Sequence, residues 1–214
     1  ANLESLTLDG LTWANMTFVN ANLLNLVRLD VRNNEKLLSI IGLSDLPSLA
    51  TLNVYNQKLL RHVGNLPDAL SSLYIQQNQA LISLASLNIH ASRLSRVSIT
   101  NNANLEEIGN SMSVQQMVAG ILVSFVVSNN PKLRAFALKM PGTFYQHSKY
   151  PRYTTLSIHN NNELKSLVDL DLGAVTCLNS LSVKTNGMLS DIGALPCTDA
   201  TATACTLKSL VLQE

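Results

Sequence analysis

The chain has few of the residues that usually mark a nucleic-acid-binding or aromatic-rich protein. Aromatic residues make up 5% and charged residues 14% of its 214 residues. The chain has 15 Lys and Arg residues and 14 Asp and Glu residues. Because these charges nearly balance, electrostatics gives no support to a nucleic-acid or acidic-lipid partner, and we expect neither. With so few aromatics, the core has to be built from Leu, Ile and Val.

Long hydrophobic runs are also missing. The longest, VAGILVSFVV at residues 118–127, is far shorter than the roughly 20 residues that a membrane-spanning helix needs. We therefore expect no membrane span in this chain. No charged segment followed by an apolar stretch opens the sequence, so no secretory signal is visible.

The motifs of common enzymes and cofactor sites are absent as well. The sequence contains no G-x-S-x-G, G-x-G-x-x-G, P-loop, H-E-x-x-H or C-x-x-C, and its four histidines are dispersed. We predict no enzyme activity, no cofactor and no metal. The serious enzyme alternative is a sugar-cleaving β-helix, whose chemistry needs paired carboxylates. Asp169 and Asp171 are the closest such pair, but they alternate with leucines, which is typical of outward positions on a strand.

Cysteine is scarce, with three residues at positions 177, 197 and 205. Cys197 and Cys205 flank the small-residue segment TDATATA, which could close as a disulfide hairpin. Free thiols are the alternative. The odd count leaves one thiol free or paired elsewhere.

What the chain does have is a repeat. Seven segments share the pattern L-x-x-L-x-I/V-x-x-N-x-x-L-x-x-I, for example LVRLDVRNNEKLLSI from residue 26 and LSRVSITNNANLEEI from residue 94. A partial copy stands at each end of the chain. The second apolar anchors of these copies are Leu6, Leu29, Leu52, Leu73, Val97, Phe125, Leu156, Leu181 and Leu210.

The repeat has a direct physical interpretation. The L-x-L pattern has period two, which indicates a strand with one face turned inward. One coil cannot bury this apolar face by itself, but a stack of coils can. We predict a mainly β repeat solenoid of about nine coils, with a parallel sheet on one face and irregular loops or short helices on the other.

An amide side chain follows each full strand at one register position. Because an amide both donates and accepts, it can satisfy backbone groups exposed where the strand ends, and stacked amides can bond to one another. Glycines at 42, 64, 109 and 193 follow later in the coil, where a second corner favours positive φ. The predicted amide ladder consists of Asn34, Gln57, Asn78, Asn102, Asn130, Asn161 and Asn186.

With these residues in view, the chain resembles the leucine-rich repeat superfamily. The next leucine follows the ladder Asn by three residues rather than two, as in Asn102 to Leu105 and Asn161 to Leu164. This spacing is similar to that of the receptor L-domain, found in insulin and epidermal growth factor receptors and in some fungal cell-wall proteins. The resemblance implies a right-handed β-helix, and it spans nearly the whole chain as a single domain, 1–214.

The copies at the two ends depart from the pattern. The first has DGLTWANMTF after its strand, without the amide, so Trp13 is expected to plug or cap that end. The last stops at Glu214, directly after its strand, and an unpaired strand exposes bonding groups. We expect that the chain is part of a longer protein, or that another subunit covers this end.

Most outward positions of the predicted sheet are small, polar and uncharged. Tyr55 and Tyr74 are the exception, with Asp30, Arg32 and Gln76 around them. Tyr and Arg dominate the energetics of many interfaces, and the sheet face commonly recognises the partner in related solenoids. We predict a binding patch at these five residues; a solvated sheet face with two ordinary surface tyrosines is the alternative.

An insertion at residues 139–153 is the second candidate for a contact surface. It concentrates Phe144, Tyr145, Tyr150 and Arg152 in a chain that is otherwise poor in aromatics. Aromatic and basic residues on a loop suit a protein or glycan contact. A loop folded back over the convex side is the alternative.

These features predict a non-catalytic module for protein or glycan recognition or adhesion, at a cell surface or outside the cell. The sequon Asn15–Met16–Thr17 fits that setting, with Asn15 as the glycosylation site. Two other functions stay open. One is a structural subunit of a larger assembly, including an intracellular complex, joined through its sheet face or its ends. The other is the carbohydrate-active β-helix.

Overall fold

A computed structural model describes residues 2–85, 94–109, 124–137, 154–168, 178–193, 207 and 209–213. These residues contain fifteen strands and one 3₁₀ turn at Leu43–Asp45. No helix among them is long and apolar enough to cross a membrane. The strands are β1 Ser5–Asp9, β2 Asn15–Thr17, β3 Arg28–Arg32, β4 Ser39–Ile41, β5 Thr51–Tyr55, β6 His62–Val63, β7 Ser72–Gln76, β8 Ser83–Leu84, β9 Arg96–Thr100, β10 Glu107–Ile108, β11 Ser124–Ser128, β12 Ala135–Phe136, β13 Thr154–His159, β14 Leu178–Lys184 and β15 Ser209–Gln213.

One large parallel sheet runs through the described chain. It has nine strands in the order β1-β3-β5-β7-β9-β11-β13-β14-β15. The anchors predicted from the repeat pair with one another across all of these strands, from Leu6 with Leu29 to Leu181 with Leu210. The predicted strand positions and their register are therefore confirmed.

The opposite face differs from the prediction of loops or short helices. It carries two small parallel sheets, β2-β4-β6 and β12-β10-β8. The solenoid makes about six turns rather than the nine coils predicted. Six of the long strands are each followed by one of these short strands before the chain returns to the large sheet. These short strands form because each coil has an inward apolar residue six positions after the amide, such as Ile40 or Ile108. These residues stand side by side in successive coils, so the backbones around them pair.

The core fills the space between the two faces with aliphatic side chains. Leu29, Leu52 and Leu73 are fully buried from the large sheet, and Ile40 and Leu84 are fully buried from the short strands. Burial of such a side chain stabilises a fold by roughly 1.5–3 kcal/mol. Phe125 and Phe136, from opposite faces of the same coil, stack with ring centroids 5.6 Å apart.

A left-handed residue makes the corner after each of the eight long strands that β15 follows. It is the first member of each polar pair, directly before the ladder amide, with φ between 50° and 60°. Asn tolerates this conformation better than other non-glycine residues, and Gly10 takes the position in the first coil with φ 65°. The residues concerned are Asn33, Asn56, Gln77, Asn101, Asn129, Asn160 and Thr185.

The second corner follows the short strands. Gly42, Gly109 and Gly193 have φ of 70–74°, as predicted, but Gly64 does not have positive φ. At Gly64 the constraint is close packing instead, because an added Cβ would lie 3.3 Å from the Ile40 carbonyl oxygen. At Gly42 both constraints act, since its Cβ would lie 2.4 Å from the backbone nitrogen of Val19.

The first coil is closed by leucines rather than by tryptophan. Leu6, Leu8 and Leu11 pack against the core in a partly buried state. Trp13 is 55% exposed and does not belong to the core, so the prediction that it plugs this end is wrong. The Trp13 ring lies in the segment leading into β2, and the leucines make the contacts with the core instead.

Candidate recognition surface

The seven predicted ladder amides form one buried row along the solenoid, and all are at most 7% exposed. For the six ladder residues from Asn34 to Asn161, the backbone N–H donates to the side-chain oxygen of the amide in the next coil, at 3.0–3.2 Å. The side-chain NH₂ group donates to a strand carbonyl of the preceding coil, at 2.9–3.1 Å. The ladder residues from Asn34 to Asn161 thus each join three successive coils, and Asn186 joins two.

Two positions show why the row needs amides. At Gln57 the longer side chain also donates to the Tyr55 carbonyl of its own strand, at 2.6 Å. In the first coil Leu11 takes the ladder position, and its backbone N–H still donates to Asn34 Oδ1 at 2.7 Å. The backbone N–H can come from any residue, whereas the bond to the preceding coil requires an amide.

The structure brings the predicted patch together on three neighbouring strands. Arg32, Tyr55 and Gln76 pair side by side in one row across β3, β5 and β7. Asp30 and Tyr74 stand in the adjacent row, with Asn53 between them. All of these side chains are half-buried except that of Asp30. We call Arg28 and these six residues the β3–β7 patch.

Asp30 departs from the expectation for an outward strand position, because it is only 4% exposed. Arg28 Nε lies 3.1 Å and Arg32 Nη2 lies 3.3 Å from the same carboxylate oxygen, Oδ2. Two guanidinium groups on one strand therefore hold a buried carboxylate between them. Sequence reasoning missed Arg28, although the alternation in RLDVR places it on the same face as Asp30 and Arg32.

The other end of the same sheet face is different in chemistry. From β9 to β14 its outward positions include Ser98, Ser128, Ser157 and Ser182, which are half-buried and small. Gln76 meets this region, since its Nε2 donates to Ser98 Oγ at 2.9 Å. The β3–β7 patch is thus bordered by a hydroxyl-rich surface.

His159 is a titratable group of that hydroxyl-rich end, on β13. Its Nε2 lies 3.1 Å from Ser182 Oγ, and its neighbour across the sheet is Lys184. Partial burial and the positive charge of Lys184 lower the pKa of His159, while the contact with Ser182 acts in the opposite direction. The imidazole is therefore held toward its neutral form.

The remaining predicted sites have mixed outcomes. Asn15 is exposed on β2, and its Oδ1 accepts a bond from Ser39 Oγ at 2.6 Å. The sequon is thus accessible on the face opposite the large sheet. Several residues lie outside the described part of the chain: Phe144, Tyr145, Tyr150, Arg152, Cys197, Cys205, Asp169 and Asp171.

A cleft of about 340 Å³ lies near the last described strand, away from the β3–β7 patch. Val183, Asn186, Leu189 and Leu212 are among the residues that line it. Within the ranges that the structure describes, no three His, Cys, Asp or Glu side chains are grouped as they would be around a metal ion. The β3–β7 patch is therefore the site that combines charge, aromatic rings and a buried polar group.

Comparison with known proteins gives no match: no protein-family model, no curated protein and no solved structure is significantly similar to the chain. The class of the protein is thus defined by its fold as a mainly β parallel solenoid.

Proposed function

We propose that the chain is a non-catalytic module for protein or glycan recognition or adhesion, at a cell surface or outside the cell, and that the β3–β7 patch is its binding surface. One observation carries this proposal. Tyr55 and Tyr74 stand with two arginines, a buried carboxylate and two amides on three adjacent strands, whereas the face from β9 to β14 carries many small hydroxylic residues.

The chemistry of the patch suits recognition more than reaction. Tyr and Arg supply large contact areas and directional hydrogen bonds, which is why they are frequent at interface hot spots. The carboxylate of Asp30 is engaged by two guanidinium groups at 3.1 and 3.3 Å, an arrangement that suits binding rather than proton transfer. The exposed sequon at Asn15 lies on the opposite face, so a glycan there would leave the patch open.

Within this proposal, the fold is a right-handed β-helix of the leucine-rich, L-domain type. The spacing from the ladder amide to the next buried leucine supports it, as in Asn102 to Leu105 and Asn161 to Leu164. The ladder geometry also supports it, since the residues from Asn34 to Asn161 each bond to coils on both sides. An experimental structure would test the handedness directly, and a left-handed solenoid would remove this assignment.

The recognition function is tested by removing the two tyrosines. The fluorescently labelled chain is applied to a printed array of oligosaccharides and secreted protein ectodomains. We expect specific signals that fall more than about tenfold in the double variant Tyr55→Ala, Tyr74→Ala, because hot-spot truncations typically cost 2 kcal/mol or more. The free energy of unfolding should change by less than about 1 kcal/mol, since both side chains are only half-buried.

The matched control is Ser128→Ala with Ser157→Ala, two changes at outward positions of the same sheet on β11 and β13. This control should bind like the unchanged chain. If no ligand on the array depends on the tyrosines, or if the serine variant loses as much binding, the patch is not a recognition surface and the proposal fails.

A further inference from the structure

Two buried polar atoms of the β3–β7 patch have no hydrogen-bond partner. They are Asp30 Oδ1 and Arg32 Nε, and both belong to the same ion pair. An unsatisfied buried polar group is unfavourable, and in a native protein it calls for an explanation such as an unfilled ligand position. The Asp30 side chain is 5% exposed and stands on β3, which is paired on both sides in the large sheet, with Arg28 and Arg32 over it.

The two atoms differ in chemical role. Asp30 Oδ1 is an acceptor and Arg32 Nε–H is a donor. A single ligand group that both donates and accepts would satisfy the pair, and hydroxyl and amide groups are the ones that do so. Because the Arg28 and Arg32 side chains are 53% and 41% exposed, they have room to turn and open the carboxylate to a ligand.

The charges around this position favour a neutral ligand. Arg28 and Arg32 are balanced by Asp30 and by Asp9, which pairs with Arg32 across the sheet. The neighbouring residues on β5 and β7 are tyrosines and amides. An acidic or a basic ligand would therefore gain little from the net field of the patch.

The position of the patch in the sheet argues against an extended peptide. Peptides often bind a sheet by adding a strand at its edge, where backbone groups are unpaired. Strands β3, β5 and β7 are each paired on both sides, so their backbone offers no such edge. A sugar needs none, because its hydroxyl groups bond to side chains and its C–H face packs on tyrosine rings, which are apolar with a polar tip.

We propose that the β3–β7 patch binds a neutral oligosaccharide, with one sugar hydroxyl bonded between Asp30 and Arg32 and the adjoining ring against Tyr55 and Tyr74. This inference rests on the recognition function proposed above. Asp30 supplies a charge-assisted acceptor to the hydroxyl proton, and Arg32 Nε–H donates to the hydroxyl oxygen.

The test uses five neutral hexasaccharides, built from α-1,4-glucose, β-1,4-glucose, β-1,3-glucose, mannose and N-acetylglucosamine. Each is titrated into the chain and followed by calorimetry and by saturation-transfer NMR. We expect at least one of the five sugars to bind. Its affinity should be at least tenfold weaker in Asp30→Asn and in Arg32→Lys. The lysine keeps the positive charge at position 32 but lacks the Nε–H donor. Since the ligand is uncharged, raising the salt from 50 to 500 mM should change the affinity less than twofold.

The matched control is Asp9→Asn, an exposed carboxylate one strand away, which should change the affinity less than twofold. The inference is overturned if none of the five sugars binds, or if Asp9→Asn weakens binding as much as Asp30→Asn. If protein ectodomains on the array bind in a tyrosine-dependent way and no sugar binds, the recognition function stands and the neutral-glycan ligand is wrong. Absence of any tyrosine-dependent ligand would instead remove both.

Discussion

The corners of the solenoid and the outward face of its large sheet are built by the same coils, yet they repeat in opposite ways. At the ladder position every full coil has an amide, and at the preceding position every residue has positive φ. On the sheet face the side chain changes from strand to strand, as in Asp30, Asn53 and Tyr74 across one row. The repeating corner positions thus specify the fold. Binding specificity can arise only at the sheet-face positions, where the residue differs from strand to strand.

The difference has an energetic reason. A ladder amide bonds to a backbone N–H and to a strand carbonyl of the preceding coil, so its loss leaves two buried backbone groups unsatisfied there. A residue on the sheet face has solvent on one side and few bonds to lose. Variants at corners should therefore lower stability without a specific effect on binding, while variants on the face should do the reverse.

The largest expected effect is at the second corner, in Gly42→Ala. The added Cβ would lie 2.4 Å from Val19 N and 2.8 Å from the Phe18 carbonyl carbon, on a residue with φ 74°. We expect the free energy of unfolding to fall by about 4 kcal/mol, combining overpacking with the left-handed conformation. Chemical denaturation measures this value.

Gly10→Ala is the control for Gly42→Ala, because Gly10 has φ 65° but nothing within 4 Å of an added Cβ. It should cost about 1–2 kcal/mol, the cost of the left-handed conformation alone. Equal losses in the two variants would show that close packing at the second corner contributes nothing.

The next largest effect is expected at the middle of the ladder. Asn130 accepts from the Asn102 backbone N–H at 3.0 Å and donates to the Ile99 carbonyl at 2.9 Å, and both partners would be left buried in Asn130→Ala. We expect a loss of about 3 kcal/mol in the free energy of unfolding. Ser157→Ala, on the sheet face, should change it by less than about 0.5 kcal/mol. A loss near zero for Asn130→Ala would mean that the ladder does not hold the coils together.

A smaller loss is expected where the ladder ends within the described chain. Asn186 still bonds to Asn161 N and to the Ile158 carbonyl, but it is 7% exposed rather than fully buried. Because water can partly replace its bonds, Asn186→Ala should cost about 1–2 kcal/mol, less than Asn130→Ala. Thermal and chemical denaturation of the two variants side by side would show whether the cost follows burial along the row.

The corners were more predictable from the sequence than the face. The recurring leucine anchors and amides gave the strand positions, the register and the ladder, because one stack imposes the same requirement on every coil. The left-handed role of Asn33 or Asn101 was missed, although the first Asn of each polar pair was a visible signal. The count of nine coils was too high, since the pattern records strands of one face and not complete turns.

What the sequence could not supply is how neighbouring side chains fold over one another. Alternation placed Asp30 outward and therefore in solvent, but the arginines on either side of it leave it 4% exposed. Period-two patterns report which face a side chain points to, and not what covers it there. The unpaired Asp30 Oδ1, on which the ligand proposal rests, is visible only in three dimensions.

The smallest expected effect concerns pH and lies on the sheet face. Burial and the charge of Lys184 lower the pKa of His159, so the unfolded chain binds more protons than the folded one just below the ordinary histidine pKa of about 6.5. Stability from this group is complete above that value and is lost as the pH falls from there through the lowered pKa of the folded state. The free energy of unfolding should therefore be higher at pH 7.5 than at pH 5.5, and this difference should be slightly larger in the unchanged chain than in His159→Gln. Lys184→Gln should reduce that difference, and an unchanged pH profile in both variants would show that the face carries no such coupling.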